Sequence, residues 1–184
     1  MREIVLDTET TGLRISDGHR IIEIGCTELI NRRKTGKNFH SYVNPMRLVD
    51  RAAFGVHGIS DQFLSDKKTF KQIAKDFLDF IDKSPLIIHN APFDIGFLNN
   101  ELALLGLPLL KMNRVIDTLK LARRKYPGSP ASLDALCRRF LISTETRNKH
   151  GALLDADLLA SVYVSMQGVV LSSIDMAEIA LKEE

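Results

Sequence analysis

The sequence predicts an α/β fold, a mixed five-stranded sheet flanked by helices. Three observations predict it. The stretch from Ile4 to Val43 reads as three consecutive strands, the pattern of a meander. Past Thr69, helical periodicity alternates with the short apolar runs Leu86-Ile87-Ile88 and Val115-Ile116, and strands alternating with helices favour parallel additions to a sheet. The 184 residues are 45% hydrophobic and 26% charged, which fits one soluble domain large enough to bury a substantial core.

Ile4-Val5-Leu6 is an apolar run ending at Asp7, read as a buried strand that leaves the core at its acidic end. Arg20 to Ile30 is the second strand, Asn31 to Lys37 a polar turn, and Asn38 to Val43 the third strand, closed by Asn44-Pro45. Thr69 suits an N-cap for a helix from Phe70 to about Asp82, with Phe70, Ile73, Phe77 and Ile81 at helical spacing. Ser84-Pro85 breaks the chain before Leu86-Ile87-Ile88. Pro92 suits a first helical turn, and that helix runs to about Leu105, where Gly106 ends it. Val115-Ile116 is the fifth strand, followed by helices near 118–125, 132–140 and 152–167. Residues 1–170 are expected to form one domain. Residues 171–184 are expected to be a C-terminal helix or the start of a connector, with weak amphipathic character from Ser172 on.

Composition excludes several classes. Twenty-five Lys and Arg against 23 Asp and Glu leave a formal charge of +2, too balanced for a broad basic surface that grips duplex DNA. A nucleic-acid contact would be local, such as a single-strand end in a groove. Cys26 and Cys137 lie far apart with no CxxC or Cys/His cluster, so they are expected to be reduced, packed thiols rather than zinc ligands. Met1-Arg2-Glu3 runs straight into a strand and no apolar run has membrane-spanning length. A cytoplasmic protein with no membrane partner is expected.

Three stretches carry chemistry. Asp7 and Glu9 are two apart in a strand, so both carboxylates share a face, roughly 7 Å apart along the backbone. Hard oxygen ligands placed this way suit Mg²⁺ or Mn²⁺, although D-x-E is also common at a solvated strand end. Asp94 sits in a first helical turn, where the helix dipole favours any acid. If the strand 86–88 runs parallel to the first, Asp94 reaches the same sheet edge as Asp7. His150, in a loop, precedes Asp155 near the start of an apolar helix, an arrangement that can set a general base beside a metal ligand. Asp157 competes with Asp155, and only one of them should face a site because residues two apart point to different helix faces. His57, in a loop beside Gly58, either contacts substrate or packs. His19, His40 and His89 read as structural, and Arg32-Arg33-Lys34 as a solvated hairpin tip. Arg123-Arg124-Lys125 and Arg138-Arg139 read as ordinary helix surface.

Singly these signals are weak; together, in the order D-x-E, D, H-x4-D, they resemble the DEDD superfamily of 3′→5′ exonucleases in its histidine-bearing branch. The stretches 4–13, 88–98 and 150–156 look like its three motifs, and Arg20 to Gly25 and Val56 to Ile59 also fit. Within the superfamily the sequence looks most like the proofreading exonucleases of bacterial DNA polymerase III. The resemblance implies a ribonuclease-H-like fold and a two-metal phosphodiester hydrolysis. It assigns Asp7, Glu9, Asp94 and Asp155 to two divalent cations, Mg²⁺ or Mn²⁺, and His150 to the general base. It further implies that Thr10, Gly12, Leu13 and His57 hold the terminal nucleotide of a single-stranded or frayed DNA 3′ end and that Asn90 orients the site. The polymerase III alpha subunit is the implied partner, bound through a segment outside this chain. The same residues also allow an RNA-trimming enzyme of the superfamily or, with less support, a non-catalytic docking module.

Overall fold

A computed structural model of the chain describes residues 1–145 and 147–168. Its sheet has five strands: β1 (Arg2–Thr10), β2 (Ile21–Ile30), β3 (Arg33–Tyr42), β4 (Leu86–Ile88) and β5 (Val115–Asp117), in the order β3-β2-β1-β4-β5. The first three pair antiparallel, while β4 joins β1 in parallel and β5 joins β4 in parallel. The seven helices among the described residues are α1 (Arg51–His57), α2 (Asp61–Leu64), α3 (Phe70–Ile81), α4 (Ala91–Leu104), α5 (Thr118–Lys125), α6 (Leu133–Arg139) and α7 (Ala152–Met166). The mixed sheet flanked by helices is as expected. The expected C-terminal helix of 171–184 lies outside the described residues.

Strand alternation divides the core. Ile4 and Leu6 of β1 point to one face and pack with α3 and α4 through Phe77, Ile81, Leu98 and Leu102. Val5 points to the other face and meets Leu159, Ala160 and Tyr163 of α7. By the two-residue period, Asp7 and Glu9 continue the row of Val5 toward α7, and Thr8 continues the row of Leu6 toward α4. The site therefore assembles from both layers at the end of one strand.

Local chemistry explains most boundaries. Thr69 and Gln72 form a reciprocal capping box at α3, Ser132 accepts from Ala135 N at α6, and Asp117 accepts from Leu119 N and Lys120 N at α5, each satisfying amides that a helix start leaves unpaired. Three expectations fail. The turn expected over 31–37 is only Asn31-Arg32, at φ 50° and 63°, a two-residue hairpin of the left-handed kind that matches strand twist; residues 33–37 already belong to β3. That strand is the sheet edge and its first half is exposed, so its charges blunt an open edge rather than mark a loop. His57 was expected in a loop but closes α1, where Gly58 at φ 71° caps the helix. Residues 51–64, which carried no helix expectation, form α1 and α2. Both cysteines are free and buried, as expected.

A part-buried ion pair joins the start of β2 to α4. Arg20 donates through Nε and Nη2 to Glu101 Oε1 and Oε2 at 2.7 and 2.6 Å, and Glu101 is 2% exposed. Arg20→Ala strands a buried carboxylate; breaking such pairs is costly, moderated here by the half-exposed arginine. A loss of about 2 kcal/mol is expected, lowering the melting temperature by roughly 4–8 °C at this chain length, to be read by thermal denaturation.

Candidate active site

The sheet brings the expected acids to one edge. β1 and β4 are parallel, so the chain leaving β4 enters α4 beside the end of β1. Asp94, 3% exposed, accepts from Thr8 N at 3.0 Å and from Thr8 Oγ1 at 2.7 Å. Asp7 and Glu9 lie on either side of Thr8 and face α7. Asp155, in the first turn of α7 and 4% exposed, comes to meet them. One ligand atom each from Glu9, His150 and Asp155 lie within 4.8 Å of one another. Asp157 faces away, paired with Lys34 of β3 at 2.7 Å, so Asp155 is the member of that pair that enters the site.

Gly25 makes this approach possible. It lies opposite Asp7 in the β1–β2 register. A Cβ there would run into the backbone of Ala152 and Leu153 at the start of α7. Without a side chain, the helix start can settle on the sheet beside Asp7.

Electrostatics follow from this crowding. Asp7 is pushed well above the carboxylate range, by burial first and then by Asp94, Glu9 and Asp155. Burial, then Asp155, Glu23 and Asp94, raise Glu9 to about 8, while Arg147 pulls it down. Burial raises Asp94 to about 7 against the two Thr8 hydrogen bonds. Buried acids that oppose one another's ionisation make a site that gains from a bound cation. Between the ordinary carboxyl range and pH 7–8 the folded protein holds protons that the unfolded chain has lost, so this contribution weakens as pH rises. In EDTA, the melting temperature should fall from pH 5.5 to 8.5. At pH 8, a divalent cation at 100 times its dissociation constant should restore about 2.7 kcal/mol per site, roughly 5–10 °C. Melting curves across pH with and without metal check both.

A cleft of about 450 Å³ opens beside the acids, lined by Glu9, Thr10, Gly12, Leu13, His57 and Phe93 among others. Four of the five expected substrate residues are therefore together. Leu13 is 80% exposed at the rim. His57 is fixed by its neighbours: Nδ1 accepts from Ile59 N at 3.0 Å and Nε2 donates to Thr10 O at 3.3 Å, while burial pushes its pKa down. Asn90 is the exception. It lines neither this cleft nor the neighbouring one; its backbone, at φ 65°, makes the turn into α4, and its N–H donates to Asp117 Oδ1 at 3.3 Å. His19, expected to be structural, forms a wall of the cleft and is held by Thr11 Oγ1 at 2.9 Å and Asp50 at 3.3 Å. A second groove is lined by Asp7, His89, Arg123, Arg147, His150 and Asp155 among others.

Sequence reasoning missed three contributors, the first being Thr8, which holds Asp94. Phe93 stands directly before Asp94, a position that also reads as helix core. Arg147 carries the larger consequence: it donates to both oxygens of Asp155 at 2.6 Å. Nothing in its loop sequence signals that contact.

The family RNase_T, described as "Exonuclease", matches residues 4–163. The DNA polymerase III subunit epsilon of Rickettsia felis is 54% identical over 181 residues, which is 97% of this chain and 79% of that protein. The chain belongs to this exonuclease family, among the bacterial DNA polymerase III epsilon subunits. Solved structures share the fold. The nuclease domain of 3′hExo, "a DEDDh family member, bound to rAMP", superposes with a TM-score of 0.78 at 22% identity, covering 91% of this chain and 92% of that one. Exonuclease X "in complex with 5′ overhanging duplex DNA" superposes with a TM-score of 0.69 at 26% identity, covering 96% and 98%. The ribonuclease-H-like architecture expected of this exonuclease family is thus the one found. No helix among the described residues is long and apolar enough to cross a membrane.

Proposed function

We infer that this exonuclease removes nucleoside monophosphates from DNA 3′ ends and proofreads for the replicative DNA polymerase III, with the alpha subunit as its partner and the cytoplasm as its place of work. The observation that carries the reading is the meeting of Asp7, Glu9, Asp94, Asp155 and His150, with Glu9 also lining a cleft of about 450 Å³.

The donor set fits two divalent cations, Mg²⁺ or Mn²⁺. It is all hard oxygen apart from one imidazole, and it is self-repelling without them. When bound, such a pair activates water and offsets charge on the leaving oxygen of an in-line displacement. The chain's own residues do the rest. Asp7, Glu9, Asp94 and Asp155 would hold the ions, and Asp7 lies at the centre of this cluster. Thr8 steers Asp94 by two hydrogen bonds to one oxygen, leaving the other for the site. His150, 45% exposed in its side chain, is reached by water and takes the proton from the attacking molecule. Thr10, Gly12, Leu13 and His57 hold the terminal nucleoside. Leu13 offers an apolar face to a base without reading its sequence, so release from the stack rather than base identity sets the rate, and mispaired ends are favoured.

The test is a 5′-labelled DNA oligomer with a mispaired or matched 3′ end, alongside an RNA oligomer. The proposal predicts a ladder shortening from the 3′ end, faster for the mispair, abolished by EDTA. Trimming of RNA without DNA cleavage would assign the chain to an RNA-processing role instead.

A further inference from the structure

Arg147 stands where a cation is wanted. Its side chain is 6% exposed, although it belongs to the loop between α6 and α7. Nε donates to Asp155 Oδ1 and Nη2 to Asp155 Oδ2, both at 2.6 Å, a two-pronged contact that engages both carboxylate oxygens. Nη1 pairs with Asp134 of α6. Nη2 also lies 2.7 Å from His150 Nδ1. His150 Nδ1 lies 3.0 Å from Asp155 Oδ2 as well, so guanidinium, imidazole and carboxylate form one cluster. The same side chain thus offsets the charge of the proposed ligand Asp155 and sets a cation against the proposed base.

We propose that Arg147 is an internal counter-ion of this site: it holds Asp155 and His150 in the metal-free protein and is displaced from both when divalent cations load. The proposal rests on the metal-ion reading of the site given above. A cation arriving at Asp155 competes with the guanidinium for the same oxygens, and like charges at that distance repel. Once Arg147 leaves, both oxygens of Asp155 are open to the ion and His150 loses its cationic neighbour. Without ions, the acids keep one compensating charge in the fold.

The test measures Mn²⁺ binding directly, by calorimetry without nucleic acid, for wild type, Arg147→Ala and Arg147→Lys. Removing the competitor should tighten Mn²⁺ binding by about 10-fold, within the range typical of coupling between two sites. Lys, which cannot fork across two oxygens and reach a ring nitrogen, should fall between. In EDTA, Arg147→Ala should melt below wild type, and saturating Mn²⁺ should close the gap. Weaker Mn²⁺ binding by Arg147→Ala would overturn the proposal and make Arg147 a scaffold that presents Asp155 to the ion. No Mn²⁺ binding by wild type would overturn the metal-ion reading and this inference with it. A variant that fails to fold does not block the test. In the wild-type protein the Arg147 Nε–H resonance should be protected from solvent exchange without metal and lose that protection at saturating Mg²⁺; protection that survives Mg²⁺ overturns the displacement.

Discussion

Asp7→Ala should abolish nuclease activity while making the metal-free protein more stable. Asp7 lies at the centre of the acidic cluster, and Asp94, Glu9 and Asp155 all oppose its ionisation. Its place in the metal-free fold is therefore unfavourable, and alanine removes both the burial cost and the repulsion. The same charge is what positions the cations in the proposed mechanism. Losing a central electrostatic element of this kind costs at least about a thousand-fold in rate. Activity on a labelled oligomer and melting in EDTA should move in opposite directions. A variant that loses activity together with stability would mean that Asp7 holds the fold, not the chemistry.

Gly25→Ala should be the most damaging single change outside the acids. The added methyl group meets the backbone of Ala152 and Leu153, not the tip of a side chain that can swing aside. Either β2 or the start of α7 has to move. Overpacking at such a contact costs about 3 kcal/mol, the upper end of its usual range, or roughly 6–12 °C in melting temperature. Function should suffer beyond stability, because α7 carries Asp155 and follows directly on His150. A shift of about 1 Å in a catalytic group is enough for a 100-fold loss. Assaying well below the variant's melting temperature separates the two effects. Wild-type rates there would mean that the helix start tolerates displacement.

How much of this was legible in the sequence depended on how local each signal is. Asp7 and Glu9 are two residues apart on one strand, and His150 and Asp155 span one loop and a helical turn, so their grouping needed only strand and helix periods. Asp94 needed the further inference that β4 runs parallel to β1, which the pairing of Ile4 with Leu86 bears out. The strands buried on both faces announced themselves as apolar runs. β3 did not, because an edge strand with a wet face reads like a loop over Arg33 to Lys37. α1 was hidden for a different reason: seven residues containing Gly55 give too little periodicity, and its neighbours Ala52, Ala53 and Val56 matter only as cleft lining. Arg147 was illegible because its role lies in a tertiary contact made by a loop. His19 is structural, as read, and what the sequence could not show is that the wall it braces belongs to the cleft.

The most direct test of the whole account is a crystal of the protein grown with Mn²⁺ and a thymidine monophosphate, examined by anomalous diffraction. The account predicts two peaks roughly 4 Å apart, with Asp7 touching both and Glu9, Asp94 and Asp155 completing their shells. A single ion held by Glu9, His150 and Asp155 alone, with Asp7 and Asp94 unligated, would contradict it.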